Sequence, residues 1–81
     1  MKFKLTDKAI KQYLALSAPI QKKADKQFTY LVENFRHPSL AAKKYRGSND
    51  VWQGRIDKNW RFYFHIIEPH YIIISVINHP K

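Results

Sequence analysis

Apolar and polar residues alternate at the start of the chain, in Lys2-Phe3-Lys4-Leu5, which predicts a short edge strand with lysines on its outward side. Thr6 then offers an N-cap and Asp7 a carboxylate for the first turn, so a helix is expected next, with Ile10, Tyr13, Leu14 and Ser17 on one face. Ser17-Ala18-Pro19 is a break followed by a start signal, because proline suits the first helical turn. The second helix is expected to run to about Phe35. Ile20, Ala24, Phe28, Leu31 and Phe35 form its apolar stripe, and Lys22, Lys23, Lys26 and Glu33 its polar side. A connection this short makes the two helices antiparallel neighbours.

Arg36-His37-Pro38-Ser39 closes the helical region. A basic connector from Leu40 to Asp50 follows, carrying Lys43, Lys44 and Arg46 and ending on the turn-like Gly47-Ser48-Asn49-Asp50. Three further strands are predicted: Val51 to Ile56, Trp60 to Ile67 and Tyr71 to Asn78. With no repeat, linker or low-complexity tract, residues 1–81 read as a single α+β domain in the order β-α-α-β-β-β, a helical hairpin packed on one face of an antiparallel sheet.

Side chains on a strand alternate, so loop length decides which residues share a face. A two-residue loop at Lys58-Asn59 would set Arg55 opposite Phe62 and leave both faces mixed. A three-residue loop, with Asn59 in the left-handed region, pairs Ile56 with Trp60 and gathers Trp52, Gly54, Ile56, Trp60, Phe62, Phe64 and Ile66 on one apolar face. Each large side chain buried there contributes about 1.5–3 kcal/mol, which outweighs any intrinsic preference for the shorter turn. The same logic across Glu68-Pro69-His70 pairs Ile67 with Tyr71 and adds Ile72, Ile74 and Val76 to the buried face. Trp52 and Trp60 are thus read as core. The opposite face carries Gln53, Arg55, Arg61, Tyr63, His65, Ser75 and, past the last strand, His79. Arg55 sits directly across from Arg61, and His79 is expected diagonal to Arg61.

Composition narrows the chemistry. Aromatic residues make up 15 % of the chain and hydrophobic residues 44 %, enough for a core without a metal or disulfide. Cysteine is absent, which excludes disulfides and thiolate metal sites. The histidines lack metal-ligand spacing, and no glycine-rich phosphate loop or Ser or Cys nucleophile setting is present, so neither a metal nor a cofactor is expected. No apolar run has the length of a membrane span and the N-terminus lacks an apolar signal segment, so a cytoplasmic protein without a membrane partner is expected. Fifteen Lys and Arg against six acids give a net charge of +9, an excess that self-repels and points to an anionic partner, nucleic acid first.

Two guanidiniums and an imidazole at one end of an open sheet suit metal-free RNA cleavage. The 2′-hydroxyl of RNA can attack the adjacent phosphorus if a group takes its proton, another protonates the departing 5′-oxygen, and the phosphorane charge is stabilised. Histidine is suited to proton transfer near neutral pH, and the planar arginine fork matches phosphate oxygens. Arg55, Arg61 and His79 are the candidate catalytic residues, and Lys43, Lys44, Arg46 and Tyr63 the candidate RNA-binding residues. The structural alternative for each is a solvated surface side chain.

The ordered set Lys43-Lys44-Tyr45-Arg46-Gly47, Trp52-Gln53-Gly54-Arg55-Ile56, Trp60-Arg61-Phe62-Tyr63-Phe64 and a late His79 resembles the RelE/ParE toxin superfamily, as do the two helices and the Arg36 to Leu40 junction. The resemblance implies a toxin of a two-gene toxin–antitoxin module, an endoribonuclease that cleaves messenger RNA on the ribosome and is held in check by a cognate antitoxin. It implies phosphate-facing roles for Arg55 and Arg61, and for His79 the proton transfer used by YoeB-like members. Those members carry a glutamate before the second strand, where this chain reads Leu40-Ala41-Ala42. The ParE branch shares the fold but inhibits gyrase without RNA chemistry, and a plain nucleic-acid-binding module is the third reading.

Overall fold

The computed structural model of the chain describes residues 1–45 and 50–78. Strand β1 (Lys2–Leu5) leads into helices α1 (Asp7–Leu14) and α2 (Ala18–Glu33). A short 3-10 turn (Pro38–Leu40) follows, then strands β2 (Lys43–Lys44), β3 (Trp52–Arg55), β4 (Trp60–Ile67) and β5 (His70–Asn78). The sheet order is β1-β5-β4-β3-β2. β1 runs parallel to β5 and the other pairings are antiparallel, so the predicted helical hairpin on a sheet is the observed architecture, extended by the two-residue β2 within the basic connector. Among the described residues no helix is long and apolar enough to cross a membrane.

Local chemistry accounts for the helix ends. Thr6 Oγ1 accepts the Ala9 amide at 3.2 Å, capping α1, and Pro19 occupies the first turn of α2. α2 stops at Glu33, two residues short of the expected Phe35. Asn34 takes an extended backbone, and its side chain accepts the Arg36 amide at 3.0 Å. Released from the helix, Phe35 packs edge-on to Trp52 with ring centroids 5.5 Å apart. Ala24, Phe28 and Leu31 are buried as the stripe predicts.

α1 departs from the expected face. Ala9 is its one buried residue, with Leu16 buried just beyond the helix end, whereas Ile10 and Leu14 are 43 % and 67 % exposed. The helix is docked by polar contacts at its start and middle. β1 pairs with β5 only as far as Ile73, and α1 covers the edge beyond. The Thr6 amide donates to Ile73 O at 3.0 Å, and Gln12 Oε1 accepts the Val76 amide at 2.7 Å. Covering an open strand edge in this way satisfies backbone groups that would otherwise lose a partner, and it rotates Ile10 and Leu14 outward.

The β3–β4 register is the predicted one: Arg55 faces Arg61, and the Ile56 amide bonds to Trp60 O at 3.0 Å. The turn is built differently, since Asn59 is not in the left-handed region. Asp57 Oδ1 accepts the Asn59 and Trp60 amides at 2.8 and 2.9 Å, so a carboxylate closes the turn that a left-handed asparagine was expected to make. The β4–β5 pairing also differs. Ile67 faces His70 across Glu68-Pro69, one residue tighter than expected, so Tyr71 and Ile73 are buried in place of Ile72 and Ile74. A bulge at Ile74 then restores the phase, and Val76 opposite Phe62 is buried as predicted. Phe28 on α2 meets Phe62 edge-on at 5.1 Å, with Leu31, Leu40 and Phe64 completing the centre of the core.

Candidate functional site

Whatever turns inward on β3 and β4 leaves its neighbours on the uncovered face. Gln53, Arg55, Arg61, Tyr63 and His65 occupy that face, each at least partly exposed. β2 adds to it selectively. Lys43 pairs with Gln53 and joins the open face, whereas Lys44 pairs with Trp52 and belongs to the other, its ammonium 5.9 Å from the Trp52 ring centre. Adjacent lysines are therefore separated by the sheet itself.

Lys43, Gln53, Arg55 and Arg61 line a concavity of about 210 Å³ together with Ala41. Ala41 holds φ 45° and ψ 43°, the left-handed region, and its amide closes the 3-10 turn on Pro38 O at 3.2 Å. A non-glycine residue rarely adopts this conformation. Here it redirects the chain from the buried Leu40 into β2.

The two arginines are held unequally. Arg61 Nη1 donates to the carbonyls of Asp57 and Trp60, the latter at 2.9 Å, so part of its guanidinium caps the β3–β4 turn. The Arg55 side chain is exposed, but its backbone is pinned from behind. Buried Gln27 on α2 donates through Nε2 to Arg55 O at 2.8 Å and to Ser39 O at 3.0 Å. Gln27 thereby ties the end of β3 and the 3-10 turn to one helix, a polar clamp within an apolar core. Asp57 completes the support. Partial burial raises its carboxyl pKa, but the Asn59 and Trp60 amides and the Lys23 ammonium, 3.4 Å away, outweigh this and hold it below the ordinary value.

Lys23–Asp57 is the single ion pair among the described residues, so neither arginine of the site is neutralised by a carboxylate there. Tyr63 donates to Gln53 Oε1 at 3.4 Å. Its pKa is raised by burial and by Tyr45, against a smaller opposing effect of Arg61, so it remains a neutral phenol at physiological pH. A hydrogen-bond donor suits it better than a general base. His65 Nδ1 lies 2.8 Å from Asp50 O. Among the described residues no three His, Cys, Asp or Glu side chains gather as a metal site would need. His79 and Arg46 lie outside the described residues. Asn78, the last residue of β5, pairs with Trp60 beside Arg61.

No family model matches the sequence, and no characterised protein matches it significantly in sequence. Solved structures do match. A YoeB/ParE toxin from Agrobacterium tumefaciens superposes with a TM-score of 0.83 over 99 % of this chain and 100 % of its own, at 16 % identity. The toxin fold in the YoeB–YefM complex from Staphylococcus aureus gives 0.81 over 99 % and 98 %, at 15 % identity. The intact E. coli RelBE toxin–antitoxin complex gives 0.78 over 99 % and 98 %, at 18 % identity.

This is the RelE/ParE toxin fold.

Within the RelE-like fold, Arg55, Arg61 and Tyr63 share the open face as the alternation implies, and β2, which the alternation did not foresee, adds Lys43 to it, while the Lys44 ammonium lies over Trp52. Gln27, Asp57 and Tyr45 are absent from the sequence-based site. A lone glutamine in an apolar stripe gives no sign that it reaches a strand carbonyl, and Asp57 reads as an ordinary turn residue. Tyr45 had a signal, an aromatic residue between Lys44 and Arg46.

Proposed function

We propose that this protein is the toxin of a toxin–antitoxin module and acts as a metal-independent endoribonuclease on ribosome-bound messenger RNA in the cytoplasm. The observation that carries the proposal is the direct pairing of Arg55 with Arg61 on an uncovered face. With Lys43, they line a concavity to which no carboxylate among the described residues contributes, and they do so in a fold shared with RelE and YoeB toxins. Three cations side by side, none with an ion-pair partner among the described residues, suit a phosphodiester, which carries its own negative charge.

In this reading Arg55 grips the non-bridging phosphate oxygens. Arg61, anchored through Nη1 to the turn, directs its remaining N–H groups at the charge that builds on phosphorus as the 2′-oxygen attacks. Water takes the 2′-hydroxyl proton. His79, one residue beyond β5 in the sequence, gives a proton to the 5′-oxygen as its bond to phosphorus breaks and a 2′,3′-cyclic phosphate is left. Tyr63 donates a hydrogen bond rather than accepting the proton. The cognate partner is an antitoxin with an acidic or amphipathic segment that covers the basic face. The E. coli RelBE and S. aureus YoeB–YefM structures are toxin–antitoxin complexes, and complementary charge is the simplest way to silence a +9 protein.

The test is induced expression followed by mapping of messenger RNA 5′ ends, for wild type and Arg61→Ala. Cuts in translated transcripts that vanish in the variant support the proposal. The commitment of Arg61 Nη1 to backbone carbonyls favours a second reading, a non-catalytic gyrase inhibitor of the ParE kind with Arg61 as a structural residue. Intact transcripts with double-strand DNA breaks would replace the nuclease by that inhibitor.

A further inference from the structure

Beside the arginines, the open face carries an apolar hollow that phosphate chemistry does not use. Tyr45 and Tyr63 stand edge to face with ring centroids 5.2 Å apart. With Val51, Ile74, Ser75 and Ile77 they line an open hollow of about 310 Å³. Ile74 lines this hollow because the β5 bulge makes it the unpaired residue, between Ile73 opposite Phe64 and Ser75 opposite Tyr63. Tyr45 is 46 % exposed, yet its backbone is fixed by a hydrogen bond that its amide donates to Val51 O at 2.7 Å.

The hollow is continuous with the basic site. It shares Tyr45 with a second concavity of about 450 Å³, lined by Lys43, Lys44, Tyr45 and Gln53. That one in turn shares Lys43 and Gln53 with the concavity at Arg55 and Arg61. Among the described residues no carboxylate side chain lines any of the three. Cations lie at one end of the trough and exposed aromatic and aliphatic surface at the other. The matching ligand is anionic along its backbone and carries flat apolar groups beside it, the description of single-stranded nucleic acid. An acidic peptide satisfies the cations but brings no flat group for the tyrosines. Along β4, Tyr63 is two residues from Arg61, about 7 Å at ordinary strand rise, within the span from a phosphate to its own or an adjoining base.

We propose that Tyr45 and Tyr63, with Ile74, form a nucleobase shelf on which one base stacks when its neighbouring phosphate lies at Arg55 and Arg61. The proposal rests on RNA as the ligand of this face and adds where a base goes and which residue holds it. Ser75 and the Tyr63 phenol supply hydrogen-bonding groups at the rim, so the shelf grips any base and discriminates only modestly among them.

The experiment compares wild type, Tyr45→Ala and Tyr45→Phe for binding to a short single-stranded RNA and to an abasic ribose-phosphate strand of equal length, at one fixed low salt. Melting curves confirm that the variants fold, as expected for a half-exposed side chain. Tyr45→Ala should weaken RNA binding about 5- to 150-fold, the range for loss of one stacking platform, and leave abasic binding unchanged. Tyr45→Phe should bind RNA as wild type does. Equal RNA binding by Tyr45→Ala and wild type overturns the shelf, as does a loss that is equal on both strands. Concentration-dependent dimers that dissociate in Tyr45→Ala, without a change in RNA binding, would assign the hollow to a second copy instead. RNA binding that responds to Tyr45 in a protein that cuts no transcript would retain the shelf and sink only the nuclease reading.

Discussion

The two faces of the sheet use alternate residues of the same strands and obey opposite rules. On the helix-covered face, Phe62, Phe64 and Ile73 are fully buried, and the buried Gln27 spends its amide on two backbone carbonyls and the Ser39 hydroxyl. On the open face, Lys43, Arg55 and Arg61 stand without a carboxylate partner among the described residues, Tyr45 is half in solvent and Tyr63 partly exposed. Burial of each large side chain, at about 1.5–3 kcal/mol, holds the register from behind. The open face inherits its geometry from that register. Damage to the covered face should therefore cost stability and activity together, whereas damage to the open face should cost activity alone.

The largest expected effect comes from the covered face. Phe62→Ala should destabilise the domain by about 3–5 kcal/mol, the range for a fully buried aromatic, and a melting temperature within a few degrees of wild type would break the contrast. Close behind is Arg61→Ala, expected to lose about 10²- to 10³-fold in single-turnover cleavage on programmed ribosomes. Its stability should drop by no more than about 1 kcal/mol, because the Trp60 carbonyl keeps its bonds from the Ile56 and Asp57 amides when Arg61 is removed. A folded Arg61→Ala protein that cuts at the wild-type rate would leave the arginine a purely structural role.

Gln27→Leu sits on the boundary between the faces. It keeps the side-chain size but leaves the Arg55 and Ser39 carbonyls without their partner, at a cost of about 1–3 kcal/mol. Amide exchange should quicken at the end of β3, and cleavage should fall although Gln27 touches no substrate. Unchanged exchange there would show that the clamp does not hold Arg55. Acid sharpens the same point. Because the Asp57 pKa is lowered on folding, its contribution is complete above the ordinary value of 3.8 and is lost as pH falls through the lower folded value. Melting temperature should thus decline below about pH 4, and Asp57→Asn should flatten that limb. The smallest effect separates adjacent lysines. Lys43→Ala should reduce the slope of log affinity for RNA against log salt by about 0.7, and Lys44→Ala, whose ammonium lies over Trp52, should reduce it less. Equal slopes would mean that the sheet does not sort the two side chains as its register requires.

Much of this was legible in the residues. Trp52, Gly54 and Ile56 alternate with Gln53 and Arg55, and Trp60, Phe62 and Phe64 with Arg61 and Tyr63, so a single pairing buries every apolar member, and that pairing placed Arg55 across from Arg61. Element order, the α2 stripe and the separation of cations from core follow from the same periodicity. Tyr71-Ile72-Ile73-Ile74 is different, since four consecutive apolar residues carry no alternation and either phase looks buried. There the tight Glu68-Pro69 connection, the parallel contact with β1 and the α1 side chains on the free edge decided the phase. They turned Tyr71 and Ile73 inward and Ile74 onto the open face. In the same way Lys43 and Lys44 are equivalent as sequence, and only their pairing with Gln53 and Trp52 sends one to each side. Where polarity alternates, the hydrophobic effect reads the residues directly. Where it does not, the choice passes to contacts between segments distant along the chain.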